Sequence, residues 1–139
     1  MADPKLVLSL SPHGANPWTT TRIMWTVSAA LVPALVMGTI VFGPMTLLMV
    51  AVAAGSCVFF EWVISTFLFK KNSVPDGSAA LTGLLLACNL PVGVPVWQVV
   101  VGSFFAIVVA KMVFGGLGQN PFNPALAGRA FMMASFPST

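Results

Sequence analysis

The chain has 139 residues, of which 58% are hydrophobic and 6% are charged, and its mean hydropathy is +0.96. Since about a quarter of the residues in a soluble domain are charged, this composition excludes an ordinary soluble domain and indicates an integral membrane protein in a lipid bilayer. The net charge of +3 comes from six basic and three acidic residues, too few for the clustered basic face of a nucleic-acid-binding protein. Cys57 and Cys88 lack the spacing of metal ligands, so no metal site is predicted.

Two long apolar runs follow a polar lead-in at residues 1–22. The first run, 23–42, is uncharged and matches the roughly 20 residues that cross a hydrocarbon core of about 30 Å. Gly43-Pro44 then predicts a tight turn, after which a second run covers 45–69. The sequence therefore predicts a helical hairpin that crosses the membrane twice.

Basic residues mark one end of this predicted hairpin. Arg22 precedes the first run, and Lys70 and Lys71 end the second, whereas the turn between the runs carries no charge. Because loops rich in lysine and arginine stay in the cytoplasm, the lead-in 1–22, with the N-terminus, is predicted to be cytoplasmic.

Glu61 is the one charged residue inside the second run. A carboxylate at this depth is unfavourable unless it is paired, protonated or close to the interface. Two interpretations follow: a structural pairing with a partner subunit, or a part in the passage of an ion.

The third apolar run, 77–90, is shorter than the first two. Asp76-Gly77-Ser78 predicts a helix N-terminus with an acidic group favourable at the positive end of the helix dipole. The run ends before Pro91 after about 14 residues, which is short for a complete span. A half-helix that borders a site and a thin spanning helix are both compatible with this pattern.

The fourth run, 96–114, carries Lys111 close to its end. A lysine at the end of a span can extend its ammonium group to the lipid headgroups. Beside a polar loop, it can instead face an anionic group of a cofactor or a carboxylate.

A polar loop at 115–124 interrupts the apolar sequence before a fifth helix, predicted at 124–136 with Asn123 as N-cap and Pro124 in the first turn. Irregular backbone at membrane depth is tolerated only where protein or a water-filled cavity satisfies it. This loop is therefore predicted to build a site that is sheltered by protein. The candidate residues are Gly116 and Gly118, which permit positive φ and close approach, and the polar contacts Asn120, Asn123 and Arg129.

Four motifs together resemble a known family over nearly the whole chain. They are Ser11-Pro12-His13, Thr21-Arg22-Ile23-Met24, the run from Asp76 to Ala87 (DGSAALTGLLLA), and the run from Gly115 to Ala125 (GGLGQNPFNPA). These residues resemble the D subunits of the Rnf complex, an ion-translocating ferredoxin:NAD⁺ oxidoreductase. The B subunit of the sodium-pumping NADH:quinone reductase is a close relative with a different glycine loop.

The resemblance implies an all-α membrane protein with an inverted-repeat, urea-transporter-like fold, of which this chain would be the first part. The predicted membrane domain, 23–139, would hold four to five helices, including the half-helix at 77–90. The resemblance also implies an FMN, attached through its phosphate to a threonine in a Ser-Gly-Ala-Thr motif, and the loop 115–124 with its candidate residues would border this flavin or a subunit contact. That motif does not occur in this sequence, so the covalent threonine is not assigned to Thr82 or Thr139. Family members are more than twice as long as this chain.

The resemblance further implies a multi-pass subunit of a redox-driven Na⁺ or H⁺ pump in the cytoplasmic membrane of a bacterium or archaeon, assembled with the other subunits of the Rnf complex. Electrons would pass from reduced ferredoxin to NAD⁺. Candidates for the ion path are Glu61, Asp76 and Lys111. The sequence contains no nucleophile–base pair, so catalysis by this chain alone is not predicted. Two alternatives remain open, a small-solute channel of the same fold without a redox role and a structural anchor for partner subunits.

Overall fold

The computed structural model describes residues 18–70 and 74–137, with the backbone but not the side chain of Phe69. All regular secondary structure in these residues is helical, which confirms the prediction of an all-α protein for the described part. Most of the predicted cytoplasmic lead-in, together with Lys71 and Thr139, lies outside the described residues.

Helix α1 (Thr20–Phe42) and helix α2 (Met45–Ile64) form the first hairpin. The chain turns at Gly43, whose φ of 85° favours glycine, and Pro44 occupies the N-cap of α2. The predicted turn is therefore confirmed. α2 continues as a π-helical segment, Ser65–Phe69, and α1 passes through Pro33 without interruption.

Both helices of this hairpin are long and apolar enough to cross a membrane. Only 6% of the most apolar stretch of α1 and 22% of that of α2 is buried within the protein. Apolar helices of which so small a fraction is buried against the rest of the chain are compatible with a membrane protein, where lipid or another subunit contacts the exposed side chains.

One face of α2 is buried against the following helices. Its buried residues recur every four positions, so they form a stripe that winds slowly around the helix and continues into the π-helical segment: Met49, Ala53, Cys57, Glu61 and Ser65. Helix α3 (Ser78–Asn89) lies directly on this face, because a Cβ atom at Gly83 would come within 2.5 Å of the Ala54 Cα atom. The glycine is what allows the two backbones to approach so closely.

Helix α3 spans about 18 Å, since an α-helix rises 1.5 Å per residue. Its N-cap is Gly77, with a φ of 72° and no side-chain capping hydrogen bond. The N-terminus predicted at Asp76-Gly77-Ser78 is thus present, but no acidic side chain caps it. Asp76 instead ends the short 3₁₀ turn Val74–Asp76.

Helix α4 (Val96–Phe104) and its π-helical continuation, Phe105–Met112, run back to the end of the bundle at which α3 begins. The contact between Lys111 and Ser78, the first residue of α3, establishes this direction. The polar loop after Met112 therefore lies at the same end as the start of α3.

The π-helical segment determines which face of this helix is buried. Buried residues recur every four positions at Val99, Ser103, Ile107 and Lys111. In a straight α-helix, each four-residue step would turn the side chain about 40° too far, so Lys111 would lie about 120° from Val99. The wider π-helical turn opposes this drift and keeps Lys111 inside the protein.

Helix α5 (Pro124–Ser135) packs antiparallel to α4. Gly128 lies against Ala106, and the ring of Phe136 contacts that of Trp97 near the start of α4. The predicted N-cap is confirmed, because Asn123 Oδ1 accepts a hydrogen bond from Ala125 N at 3.0 Å. α3 and α5 therefore begin at the same end of the bundle. The inverted repeat remains a prediction.

Candidate functional site

A buried ion pair joins α2 to the end of the fourth apolar run. Lys111 Nζ lies 2.5 Å from Glu61 Oε2, and the two side chains are 2% and 0% exposed. A partner of this carboxylate therefore lies in the same chain, fifty residues away. Of the interpretations given for Lys111, the structure shows the one in which it faces a carboxylate, and the extension to the headgroups is wrong.

Ser78 is the third member of this site. Its Oγ atom accepts a hydrogen bond from Lys111 Nζ at 2.7 Å. An ammonium group has three donors and no acceptor, so a buried lysine needs several oxygen atoms around it. From the sequence, Ser78 was predicted only to be part of a helix N-terminus. This role could have been indicated by one pattern: a serine on the first turn of a short helix that lies beside two buried charges.

The surroundings of the pair are partly polar. Cys57, one turn before Glu61 and fully buried, lies beside the hydroxyl group of Ser103. Among the described residues, Ser103 Oγ has no hydrogen-bond partner of acceptable geometry. The interface between α2 and α4 thus holds two further polar groups close to the ion pair.

A cavity of about 240 Å³ lies next to the pair. Lys111 and Ser78 form part of its wall, together with Asn120 and Asn123 of the polar loop. The remaining residues of the wall are Met24, Leu81, Thr82, Leu85, Leu117 and Pro124. One cavity is therefore shared by Lys111, a candidate for the ion path, and by Asn120 and Asn123, which are candidates for the flavin contact. The sequence did not indicate that these residues lie together.

Each of the two asparagine side chains of the loop has one end of its amide engaged, either within the loop or at the start of α5. Asn120 Nδ2 donates a hydrogen bond to Phe122 O at 2.7 Å, and Asn123 Oδ1 caps α5. These bonds fix the two side chains beside the cavity, so that little further ordering would accompany the binding of a ligand.

The glycines of the loop have positive φ, 96° at Gly116 and 85° at Gly118. No atom lies within 4 Å of the position that a Cβ would take at either residue. Glycine is therefore required here by the backbone conformation and not by close packing. Gly116 N also donates a hydrogen bond to Lys111 O, which closes the helix behind the lysine.

Of the eight predicted site residues, five lie outside the cavity wall: Glu61, which pairs with Lys111 behind it, the glycines Gly116 and Gly118 of the loop, and Arg129 and Asp76. Arg129 is half-buried in the second turn of α5, one residue after Gly128. Asp76 lies two residues before Ser78, on the 3₁₀ turn that precedes α3. The structure thus brings Glu61 and Lys111 together with Asn120 and Asn123, but not with Arg129.

Exposed apolar helices around a buried carboxylate–ammonium pair and a polar cavity define a class of protein, the helical membrane proteins that bury charged groups inside the helix bundle. The family is also clear from the sequence. The chain belongs to the NQR2, RnfD, RnfE family, whose model matches residues 7–139.

Named relatives agree with this assignment. The D subunit of the Na⁺-translocating ferredoxin:NAD⁺ oxidoreductase complex of Acetobacterium woodii is 50% identical over 137 residues, covering 99% of this chain and 43% of that protein. The D subunit of the proton-translocating ferredoxin:NAD⁺ oxidoreductase complex of Clostridium ljungdahlii is 44% identical, covering 94% of this chain and 39% of that protein. The D subunit of the ion-translocating oxidoreductase complex of Salmonella arizonae is 42% identical, covering 94% and 38%. The chain spans about two fifths of the length of these curated relatives.

Proposed function

We propose that this chain acts as a membrane subunit of a redox-driven cation pump that passes electrons from reduced ferredoxin to NAD⁺. The observation that carries this proposal is the buried Glu61–Lys111 pair, whose lysine lines a cavity together with Asn120 and Asn123. The names of the relatives support the same role. The subunit would lie in the cytoplasmic membrane with its N-terminus in the cytoplasm, in contact with other subunits of the complex.

Glu61 would provide the cation site of this subunit. A carboxylate is a strong oxygen ligand for a hard cation and can also take up a proton. Lys111 balances its charge when no cation is bound, so a cation arriving at Glu61 competes with the ammonium group. The relatives bear names for both sodium and proton translocation, and this competition would serve either ion.

The residues of the cavity fit the polar edge of a flavin, though not a whole one. Binding sites for small molecules usually enclose about 300–1,000 Å³, and this cavity encloses about 240 Å³. Asn120 and Asn123 would hydrogen-bond the edge of the ring, with Gly116 and Gly118 shaping the loop that carries them. When bound, the flavin would supply electron transfer. Arg129, outside the wall, would serve a contact with another subunit.

The flavin contact predicts that the combined change Asn120→Ala and Asn123→Ser lowers flavin affinity about tenfold, since two neutral hydrogen bonds contribute roughly 0.5–1.5 kcal/mol each. Serine preserves the N-cap of α5 while removing the amide. The measurement is the affinity for free FMN, by fluorescence titration of complex that was prepared without covalently attached flavin. Gln119→Ala is the matched control in the same loop. Unchanged affinity would contradict the contact, and a subunit that carries no flavin at all would favour the small-solute channel.

The cation site predicts that Glu61→Gln lowers ferredoxin-driven cation uptake into inverted membrane vesicles at least about tenfold, because glutamine keeps the shape and removes the charge. Subunit content of the purified complex serves as the control. Normal uptake would exclude Glu61 from the path. A loss of assembly, with the remaining complexes fully active, would instead favour the structural anchor.

A further inference from the structure

Ser78 occupies a position between the ion pair and the cavity. Its hydroxyl group bonds Lys111 Nζ, and its side chain forms part of the cavity wall. On the basis of the proposed function, we infer that Ser78 is a positioning residue that holds Lys111 when a cation displaces its ammonium group from Glu61. The lysine then turns about this hydroxyl group toward the cavity.

The need for such a residue follows from burial. Lys111 is 2% exposed, and a buried charge that loses its partner is strongly unfavourable. A proton or a metal cation on Glu61 would remove the compensation that the carboxylate gives. The ammonium group therefore needs a second acceptor within reach in that state, and Ser78 Oγ lies 2.7 Å from it.

Within the part of the chain that the structure describes, the hydroxyl group of Ser78 makes no capping hydrogen bond for α3. The N-cap position belongs to Gly77, and no side chain caps this helix. The backbone of Ser78 is held separately, since Ser78 O accepts a hydrogen bond from Thr82 Oγ1 at 2.8 Å. The serine side chain is thus held in place and faces Lys111.

The cavity provides the oxygen atoms for the turned lysine. Thr82 Oγ1 and the amides of Asn120 and Asn123 line it together with Ser78, and its volume of about 240 Å³ is enough for several water molecules, each of which occupies about 30 Å³ in the liquid. Cation binding at Glu61 would therefore deliver a positive charge to the cavity. By linkage, the factor by which cation binding at Glu61 raises the affinity of the cavity for an anionic group equals the factor by which that group raises the affinity of Glu61 for its cation.

The test uses the whole ion-translocating complex with Ser78→Ala, Ser78→Thr and Ser56→Ala in this subunit. The bond to Ser78 is present in both states, but it matters most once a cation occupies Glu61, because the hydroxyl group then replaces the carboxylate as an acceptor for Lys111. Ser78→Ala should therefore raise the cation concentration for half-maximal rate about tenfold, as expected for a hydrogen bond to a charged group. The maximal rate at saturating cation should change much less. Ser78→Thr restores the hydroxyl group, so it should return the cation concentration for half-maximal rate to that of the unsubstituted complex. Ser56, whose hydroxyl group bonds Val52 O in its own helix, is the matched control.

The outcomes separate this inference from the proposed function. If Glu61→Gln abolishes uptake while Ser78→Ala leaves the half-maximal concentration unchanged, the positioning role is wrong and the cation site stands. If Glu61→Gln has no effect, both are wrong. Should Ser78→Ala fail to assemble, Ser78→Cys keeps a small side chain with a weaker acceptor, and a half-maximal concentration equal to that of the unsubstituted complex would overturn the role.

Discussion

Replacing Lys111 by methionine should lower the free energy of unfolding of this protein by about 3–5 kcal/mol. The substitution keeps the length of the apolar stem but removes the cation that compensates Glu61, and breaking one side of a buried ion pair has an effect of about this size. Both side chains are almost fully buried, so water does not replace the lost partner. The measurement is unfolding by titration with sodium dodecyl sulfate in mixed micelles.

The double variant Glu61→Gln/Lys111→Met provides the control for this prediction. Replacing both members of a buried pair by groups of similar shape is often neutral for stability, so the double variant should recover most of the loss. The coupling between the two sites is then large and isolates the pair from the effects of each side chain alone. If the losses of the single variants simply add, Lys111 does not stabilise the protein through Glu61.

Replacing Gly83 by valine should destabilise the protein by about 1–3 kcal/mol or more. A Cβ atom at this position would meet the Ala54 Cα atom at 2.5 Å and the Ala53 carbonyl oxygen at 2.7 Å, and neither backbone atom can move like a flexible side chain. Overpacking of this kind forces helices apart. Since α3 carries Ser78, the same change should also weaken the hold on Lys111.

Gly55→Val is the matched control for this second prediction. Gly55 also lies inside a helix of the bundle, but no atom lies within 4 Å of the position of its missing Cβ. The same chemical change should therefore alter the free energy of unfolding by less than about 0.5 kcal/mol. Equal losses at Gly55 and Gly83 would show that valine acts through helix propensity and not through the contact between α2 and α3.

Much of the helical architecture could be predicted from the sequence. Length and apolar composition indicate the α1–α2 hairpin, because a long apolar run with at most one charge has few alternatives to a membrane helix. The turn at Gly43-Pro44 and the cap at Asn123 were predictable because each depends on local backbone chemistry.

The composition of the site could not be predicted in the same way. Glu61 and Lys111 were each recognised as unusual, but their pairing depends on the register of two helices fifty residues apart. That register depends in turn on the π-helical segment Phe105–Met112, which no local pattern indicates. Ser78 was missed because a serine at the start of a helix is usually a cap, whereas here Gly77 takes that position.

The sequence separation of the ion pair has a consequence for how the chain is made. Helix α2 leaves the ribosome before α4 exists, and at about 5–20 residues per second the fifty residues between Glu61 and Lys111 take several seconds to synthesise. During this interval the carboxylate enters the bilayer before its lysine is available. The contribution of Lys111 to the burial of Glu61 is therefore available only after the fourth apolar run has been synthesised.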